Sequence, residues 1–178
     1  MKVYFIRHGE SEYNLKHLIN FTPSVPVNLT EKGKKQIKNL VKKLKGKKFG
    51  IIFASEFIRT QESAAILASA LNCKVKVDKR LNELIAGKEG STSNYYENLL
   101  HVFENEKDAH LNGNESYLDV KNRVLNFRKS LEKSNYKNVL VVTHEMVCMT
   151  ARSVFGKWSD AETITKPVQN AEILRFKI

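Results

Sequence analysis

Residues 1–10 read MKVYFIRHGE, and within them Lys2 to Ile6 form a short apolar run that stops at Arg7 and His8. A run this brief, followed at once by charge, predicts a strand buried on both faces. Gly50 to Ala54 has the same character, Lys74 to Val77 alternates, Asn138 to Thr143 is the most strongly β-branched run of the chain, and Ala171 to Lys177 supplies a last strand. Helical patterns lie between them. Glu10 to Leu18 is polar and helix-compatible, and Asn20 to Val27, with Pro23 and Pro26, is a loop. Thr30 is placed to cap a helix to about Lys45, with Gly46 as its stop. Ser55 opens a helix from Phe57 to about Leu71, and His144 to Phe155 forms another. Asn94 to Glu106 and Tyr117 to Lys133 are amphipathic, separated by a turn at His110 to Asn114. Arg80 to Ser93 is punctuated by glycine, lacks periodicity and reads as a functional loop. Strands alternating with helices predict an α/β fold, a three-layer α/β/α sandwich with a mostly parallel central sheet. No composition shift or repeat divides the 178 residues, so a single domain is expected.

The totals narrow the classes of function. A hydrophobic fraction of 42% with 28% charged residues is that of a globular protein. No apolar run approaches the roughly 18–20 residues of a membrane span, and the N-terminus meets charge too early for a signal peptide, so no membrane and a cytoplasmic location are expected. Cys73 and Cys148 stand far apart, outside metal-type spacing, and are expected as buried hydrophobes. The net charge of +11 suits an anionic substrate but would also attract nucleic acid or an acidic membrane. Its densest stretch, Lys32 to Lys48, carries lysines at helical spacing around Ile37, Leu40, Val41 and Leu44, which is the pattern of a solvated helix face. No aromatics interleave with those lysines, so nucleic acid is not the expected partner.

In a sheet of this kind ligands gather at the carboxyl ends of the strands. There the chain presents Arg7 and His8, Ser55 to Arg59, Arg80 to Glu83, and Thr143 and His144. Phosphoryl transfer needs cationic donors on the non-bridging oxygens, an in-line nucleophile and a proton for the leaving oxygen. Arginine supplies the first, an imidazole with one free nitrogen the second, and a glutamate of raised pKa the third. Each residue also has a plainer reading. Arg7-His8-Gly9 fits a strand-ending turn, Arg59 a surface pair with Glu56 or Glu62, Glu83 a helix cap, and His144 a core histidine. Only their joint arrival at four strand ends favours a site.

These residues carry a resemblance. The chain resembles the histidine phosphatase superfamily, of phosphoglycerate mutase-like fold, over nearly its full length. The matching segments are Phe5-Ile6-Arg7-His8-Gly9-Glu10-Ser11 with Asn14, Leu29-Thr30-Glu31-Lys32-Gly33 with Gln36, Ala54 to Gln61, Leu81-Asn82-Glu83 with Gly87, Gly113 to Ser116 with Arg123-Val124, and Val142-Thr143-His144. The resemblance implies that His8 is the phosphorylated nucleophile. It implies that Arg7, Arg59 and His144 surround the phosphoryl group, that Asn14 donates to it and that Glu83 is the acid/base. It implies no metal and no cofactor, because arginines neutralise the charge. Glu145 stands where the superfamily usually has glycine, so its carboxylate repels substrate unless it points away while its backbone N–H still binds. The family's Trp before Glu-Gly is missing near Gly87-Lys88-Glu89-Gly90, and Asn20 and Phe21 replace a small hydroxyl residue and a glycine.

Branch features favour a hydrolase acting on small phosphorylated molecules through a phosphohistidine on His8. Leu84, Ile85 and Ala86 follow Glu83 where mutases carry Arg and then Tyr, and no Arg-Arg pair occurs. The Gly-x-Glu-Ser element resembles the α-ribazole and broad-specificity phosphatases. The alternatives are a phosphoglycerate mutase-type phosphotransferase, a phosphohistidine protein phosphatase, and a non-catalytic scaffold that binds phospho-ligands. Specificity is expected from the loop Leu84 to Ser93 and from Tyr95, Tyr96 and His101. Oligomeric state has no signature in the sequence.

Overall fold

A computed structural model of the chain describes residues 1–85, 87–110 and 114–178. The elements run β1 (Lys2–Arg7), α1 (Glu12–Leu15), α2 (Glu31–Leu44), β2 (Ile51–Ala54), α3 (Ile58–Leu71), β3 (Val75–Val77), α4 (Ser93–Asn105), α5 (Tyr117–Glu132), β4 (Asn138–Thr143), α6 (Glu145–Phe155), α7 (Asp160–Ile164) and β5 (Ile173–Lys177). The five strands form one sheet in the order β3-β2-β4-β1-β5, parallel except for β5, which runs antiparallel to β1. This is the expected three-layer sandwich. Val3 and Phe5 of β1 point into one cluster with Val139 and Val141 of β4 and the apolar faces of α5 and α6. Tyr4 and Ile6 point the other way, with Leu140 and Val142, onto Ile37, Leu40 and Leu44 of α2 and Ala64 and Leu67 of α3. A strand buried on both sides reads as an unbroken apolar run rather than an alternation, which explains Lys2 to Ile6.

The topology fixes where a ligand sits. After β1 the chain leaves toward the α2 face; after β4, its parallel neighbour, it leaves toward the α6 face. Between two such strands the connections part and a crevice opens beyond their carboxyl ends. Register places Arg7 beside Thr143, and the His8 N–H donates to the Thr143 carbonyl at 2.9 Å, so His8 and His144 emerge side by side.

The segment after β1 is held by the start of α2. Thr30 caps that helix by accepting from Gly33 N, while Gln36 Oε1 accepts from Glu10 N at 2.8 Å and Thr30 N donates to the Glu10 carbonyl at 2.9 Å. The contact is backbone on backbone. A Cβ at Gly33 would lie 2.0 Å from Glu10 O, and one at Gly9 would lie 2.4 Å from Gly33 O. Gly33→Ala is therefore expected to cost about 2–3 kcal/mol, at the upper end for overpacking. An unfolding free energy from urea denaturation within about 0.5 kcal/mol of the parent would show that this contact yields freely.

Some local readings differ from the sequence. The residues read as part of the loop from Arg80 begin with a single 3₁₀ turn, Lys79–Leu81, capped by Asp78. Helix α7 arises at Ser159, whose side chain caps Glu162 N. Ser55 does not cap α3; Phe57 occupies that position without a side-chain bond. Cys148 is buried as expected, and Cys73 is partly exposed. The lysines of α2 lie on its solvent side. The turn expected at His110 to Asn114 falls mostly on 111–113, outside the described residues, as do Ala86 and Gly113 of the expected motifs. No helix among the described residues is long and apolar enough to cross a membrane.

Candidate active site

Four strand exits converge on one open cavity, of about 110 Å³, whose walls include Arg7, His8, Asn14, Arg59, Glu83 and Glu145. His144 lies against it, its ring centroid 5.3 Å from that of His8.

His8 is 2% exposed and fixed by its own backbone turn. Its Nδ1 lies 2.7 Å from the Gly9 carbonyl, which can only accept, so Nδ1 carries the proton and Nε2 carries the lone pair. That lone pair accepts from Arg59 Nε at 3.1 Å. Burial, and then the charges of Arg59 and Arg7, push the His8 pKa well below the usual imidazole value, so the ring is neutral at physiological pH.

Arg59, on the first turn of α3, is the hub. Besides His8 it reaches His144 Nδ1 through Nη2 at 3.1 Å and the Asn20 side-chain oxygen through Nη1, and its guanidinium lies 4.5 Å over the Phe57 ring. Burial lowers its pKa to about 10, which leaves it charged at neutral pH. Because His144 Nδ1 accepts from a guanidinium, the His144 proton resides on Nε2, which donates to Ser55 Oγ at 2.7 Å. Burial first, then Arg59, keeps His144 neutral as well.

Glu83 follows the 3₁₀ turn and is buried. Its carboxylate accepts from Leu84 N at 2.9 Å and from Glu145 N at 3.1 Å. Burial raises its pKa against the pull of the Leu84 N–H, Arg59 and Arg7. The loop that carries it is pinned twice: Thr143 Oγ1 donates to Leu81 O at 2.6 Å, and Glu115 accepts from Ile85 N while pairing with Arg123. Asn14 Oδ1 is taken by Ser11 and Asn170, which leaves the amide nitrogen as the group able to donate outward.

Arg7 and Glu145 form an ion pair at 2.8 Å, both mostly buried. Arg7 Nη1 also donates to Val168 O, and Glu145 accepts from Val168 N. The Glu145 side chain therefore does not turn away from the pocket; it lies on Arg7, and its N–H is spent on Glu83. Arg7 Nε is buried and has no partner among the described residues.

Two polar residues at the site escape sequence reading. Asn20 holds Arg59 and is itself held by Glu89 at 2.8 Å; its only sequence signal is that it departs from the family pattern. Asn170 donates to His8 O and Asn14 Oδ1 from across 162 and 156 residues of chain, which no local pattern announces. His101, on α4, does not line this cavity but a separate one that shares Glu145 with it, and the side chains of Tyr95 and Tyr96 lie outside the described residues. Among the described residues no group of three or more His, Cys, Asp or Glu is arranged to hold a metal ion.

Taken together, the cavity offers a neutral imidazole whose lone pair is held by an arginine N–H, two guanidinium groups and a carboxyl group of raised pKa. Residues 3–178 match the family described as "Histidine phosphatase superfamily (branch 1)". Among curated proteins the chain is similar to a 2,3-bisphosphoglycerate-dependent phosphoglycerate mutase from Thermoplasma acidophilum, 30% identical over 176 residues, covering 94% of this chain and 82% of the relative. It is also similar to the adenosylcobalamin/alpha-ribazole phosphatase of Escherichia coli, 29% identical over 156 residues, covering 83% and 75%. Among solved structures, a mycobacterial glucosyl-3-phosphoglycerate phosphatase complexed with VO3 superposes with a TM-score of 0.84 at 21% identity, covering 98% of this chain and 91% of that one, which speaks to the fold.

Proposed function

Because the chain belongs to the histidine phosphatase superfamily, we propose that it hydrolyses phosphate monoesters of small molecules through a phosphohistidine on His8. The observation that carries this reading is the tautomer of His8, whose Nδ1–H is committed to the Gly9 carbonyl so that Nε2 faces the cavity as a lone pair beside Arg59. The phosphoryl group displaces the Arg59–His8 hydrogen bond and takes the guanidinium donors onto its own oxygens. Arg7 Nε, buried and without a partner among the described residues, is a second donor, and the Asn14 amide a third. Nε2 attacks phosphorus in line; the P–O bond to the leaving group breaks, and its electron pair takes the proton of Glu83. Water then attacks phosphorus, Glu83 as carboxylate accepts a proton from it, and the P–N bond breaks to free phosphate and Nε2. Arginine charge does the neutralising work, so the assays below are expected to proceed with a chelator present. Hydrolysis is favoured over transfer between carboxylated substrates because Arg7 faces a carboxylate, Glu145, rather than further cationic groups. A cytoplasmic setting is consistent with two free cysteines.

The pH dependence follows from the two shifts. The mechanism needs His8 unprotonated and Glu83 protonated in the same molecule. With ordinary values of about 6.5 and about 4.3, hardly any pH would satisfy both. Burial lowers the first and raises the second, so the two requirements move toward a common pH range. For an alkyl phosphate, kcat/KM is expected to rise through the lowered pKa of His8 and fall through the raised pKa of Glu83. Glu83→Gln is expected to remove the alkaline limb and to slow alkyl phosphates by about 10²–10³-fold, with p-nitrophenyl phosphate, whose leaving group needs little help, affected far less. Equal losses on both esters would mean that Glu83 is not the acid.

A further inference from the structure

Glu145 sits where two cavities meet. It lines the pocket of His8 and Arg59, and it also lines a second, larger cavity walled by Leu100, Ile164 and Pro167, into which Glu97 and Glu104 of α4 face. A phosphoryl group bound at His8 has its leaving group directed out of the first pocket, and the wall it shares with the second is this carboxylate. From this juxtaposition, and resting on the phosphatase reading above, we infer that Glu145 sets leaving-group specificity, selecting monoesters whose leaving group carries a positive charge, such as phosphorylated amino alcohols.

Charge balance is the reason. In the pocket Arg7 and Arg59 carry the positive charges, and both histidines are held neutral by burial and by those arginines. Two guanidinium charges match a phosphoryl dianion. Glu83, in the protonated form the chemistry requires, adds none. The Glu145 carboxylate is then one negative charge in excess, fixed 2.8 Å from Arg7 and tied to Val168 N, so it cannot swing away without breaking both contacts. An ammonium group on the leaving side restores neutrality; a carboxylate or second phosphate there adds to the excess. The second cavity repeats the sign: Glu97 is exposed on its wall, and among the described residues Glu104 is matched only by His101 at 3.6 Å. On a chain of net charge +11, the mouth of an anion site would ordinarily be basic.

The test uses two matched phosphonates that cannot be hydrolysed, 2-aminoethylphosphonate and phosphonoacetate, titrated calorimetrically into the parent and into Glu145→Gln. Freeing Arg7 changes the affinity of both ligands for their common phosphonate, and that shared part cancels in their ratio. The parent is expected to favour the amine, and Glu145→Gln to reduce that preference about tenfold at low salt and less near 1 M salt, where the screening length falls to about 3 Å. The inference is overturned if the parent binds phosphonoacetate as well as the amine, if it binds neither, or if the preference in Glu145→Gln stays within twofold of the parent. His8-dependent hydrolysis of p-nitrophenyl phosphate, measured alongside, reports on the phosphatase reading alone, so the two can fail separately.

Discussion

His8→Ala is expected to lower kcat by a factor on the order of 10⁴–10⁶, the scale seen when a covalent nucleophile is removed. No neighbour can replace it. The other imidazole, His144, is wholly buried behind His8, with Nε2 bonded to Ser55 and Nδ1 to Arg59, and it is not part of the lining of the cavity onto which His8 opens. The fold is expected to survive, because the space vacated by the ring joins a cavity open to water rather than a dry core. His8→Asn is the control for that point, since its amide nitrogen can keep the bond to the Gly9 carbonyl while Nε2 is removed. Both variants are expected to unfold in urea within about 1.5 kcal/mol of the parent. A His8→Asn enzyme that is folded and still turns over at a tenth of the parental rate would remove His8 from the chemistry.

Arg59 carries the second large expectation. Its fork spans His8, His144 and Asn20 from one guanidinium, so a single residue fixes both imidazoles, and in the proposed mechanism the same group would place charge on the phosphoryl oxygens. Arg59→Lys keeps a positive charge and loses the fork; it is expected to lower kcat/KM by about 10²-fold, and Arg59→Met by about 10³–10⁴-fold. The methionine variant makes a further, independent prediction. Arg59 holds the Glu83 pKa down against burial, so its removal moves the alkaline limb of the remaining activity to higher pH. Steady-state kinetics with an alkyl phosphate across pH, chelator present, reads both effects. Activity of Arg59→Lys within threefold of the parent would mean that the fork geometry is idle.

Much of this architecture is legible in the amino-acid sequence. Lys2 to Arg7 and Asn138 to Thr143 are buried on both faces, and such strands announce themselves as apolar runs with charge at their ends. Because parallel strands in register expose their ends together, residues just past those runs meet in space, and Arg7, His8, Arg59, Glu83 and His144 follow from that rule. The features that sequence does not reveal have physical causes. Helix α7 is only five residues, too short for a period to emerge, and is specified by its capping box. The antiparallel direction of β5 is a property of the chain's return path, not of its residues. Asn20 and Asn170 act through side-chain bonds across long stretches of sequence, and polar residues in loops carry no period. Glu145 is visible as a departure from the family, but its ion pair with Arg7 depends on how the segment around Val168 folds back over the first turn of α6.

Bonding of phosphorus to His8 can be captured by acid-free rapid-quench trapping. Enzyme mixed with p-nitrophenyl phosphate for milliseconds, denatured at alkaline pH and digested is expected to yield one phosphorylated peptide, the one containing His8, with the phosphate stable to base and lost in mild acid. Label on any other residue, or a parent enzyme that turns over steadily while the His8 peptide never gains phosphate at any quench time, would contradict it.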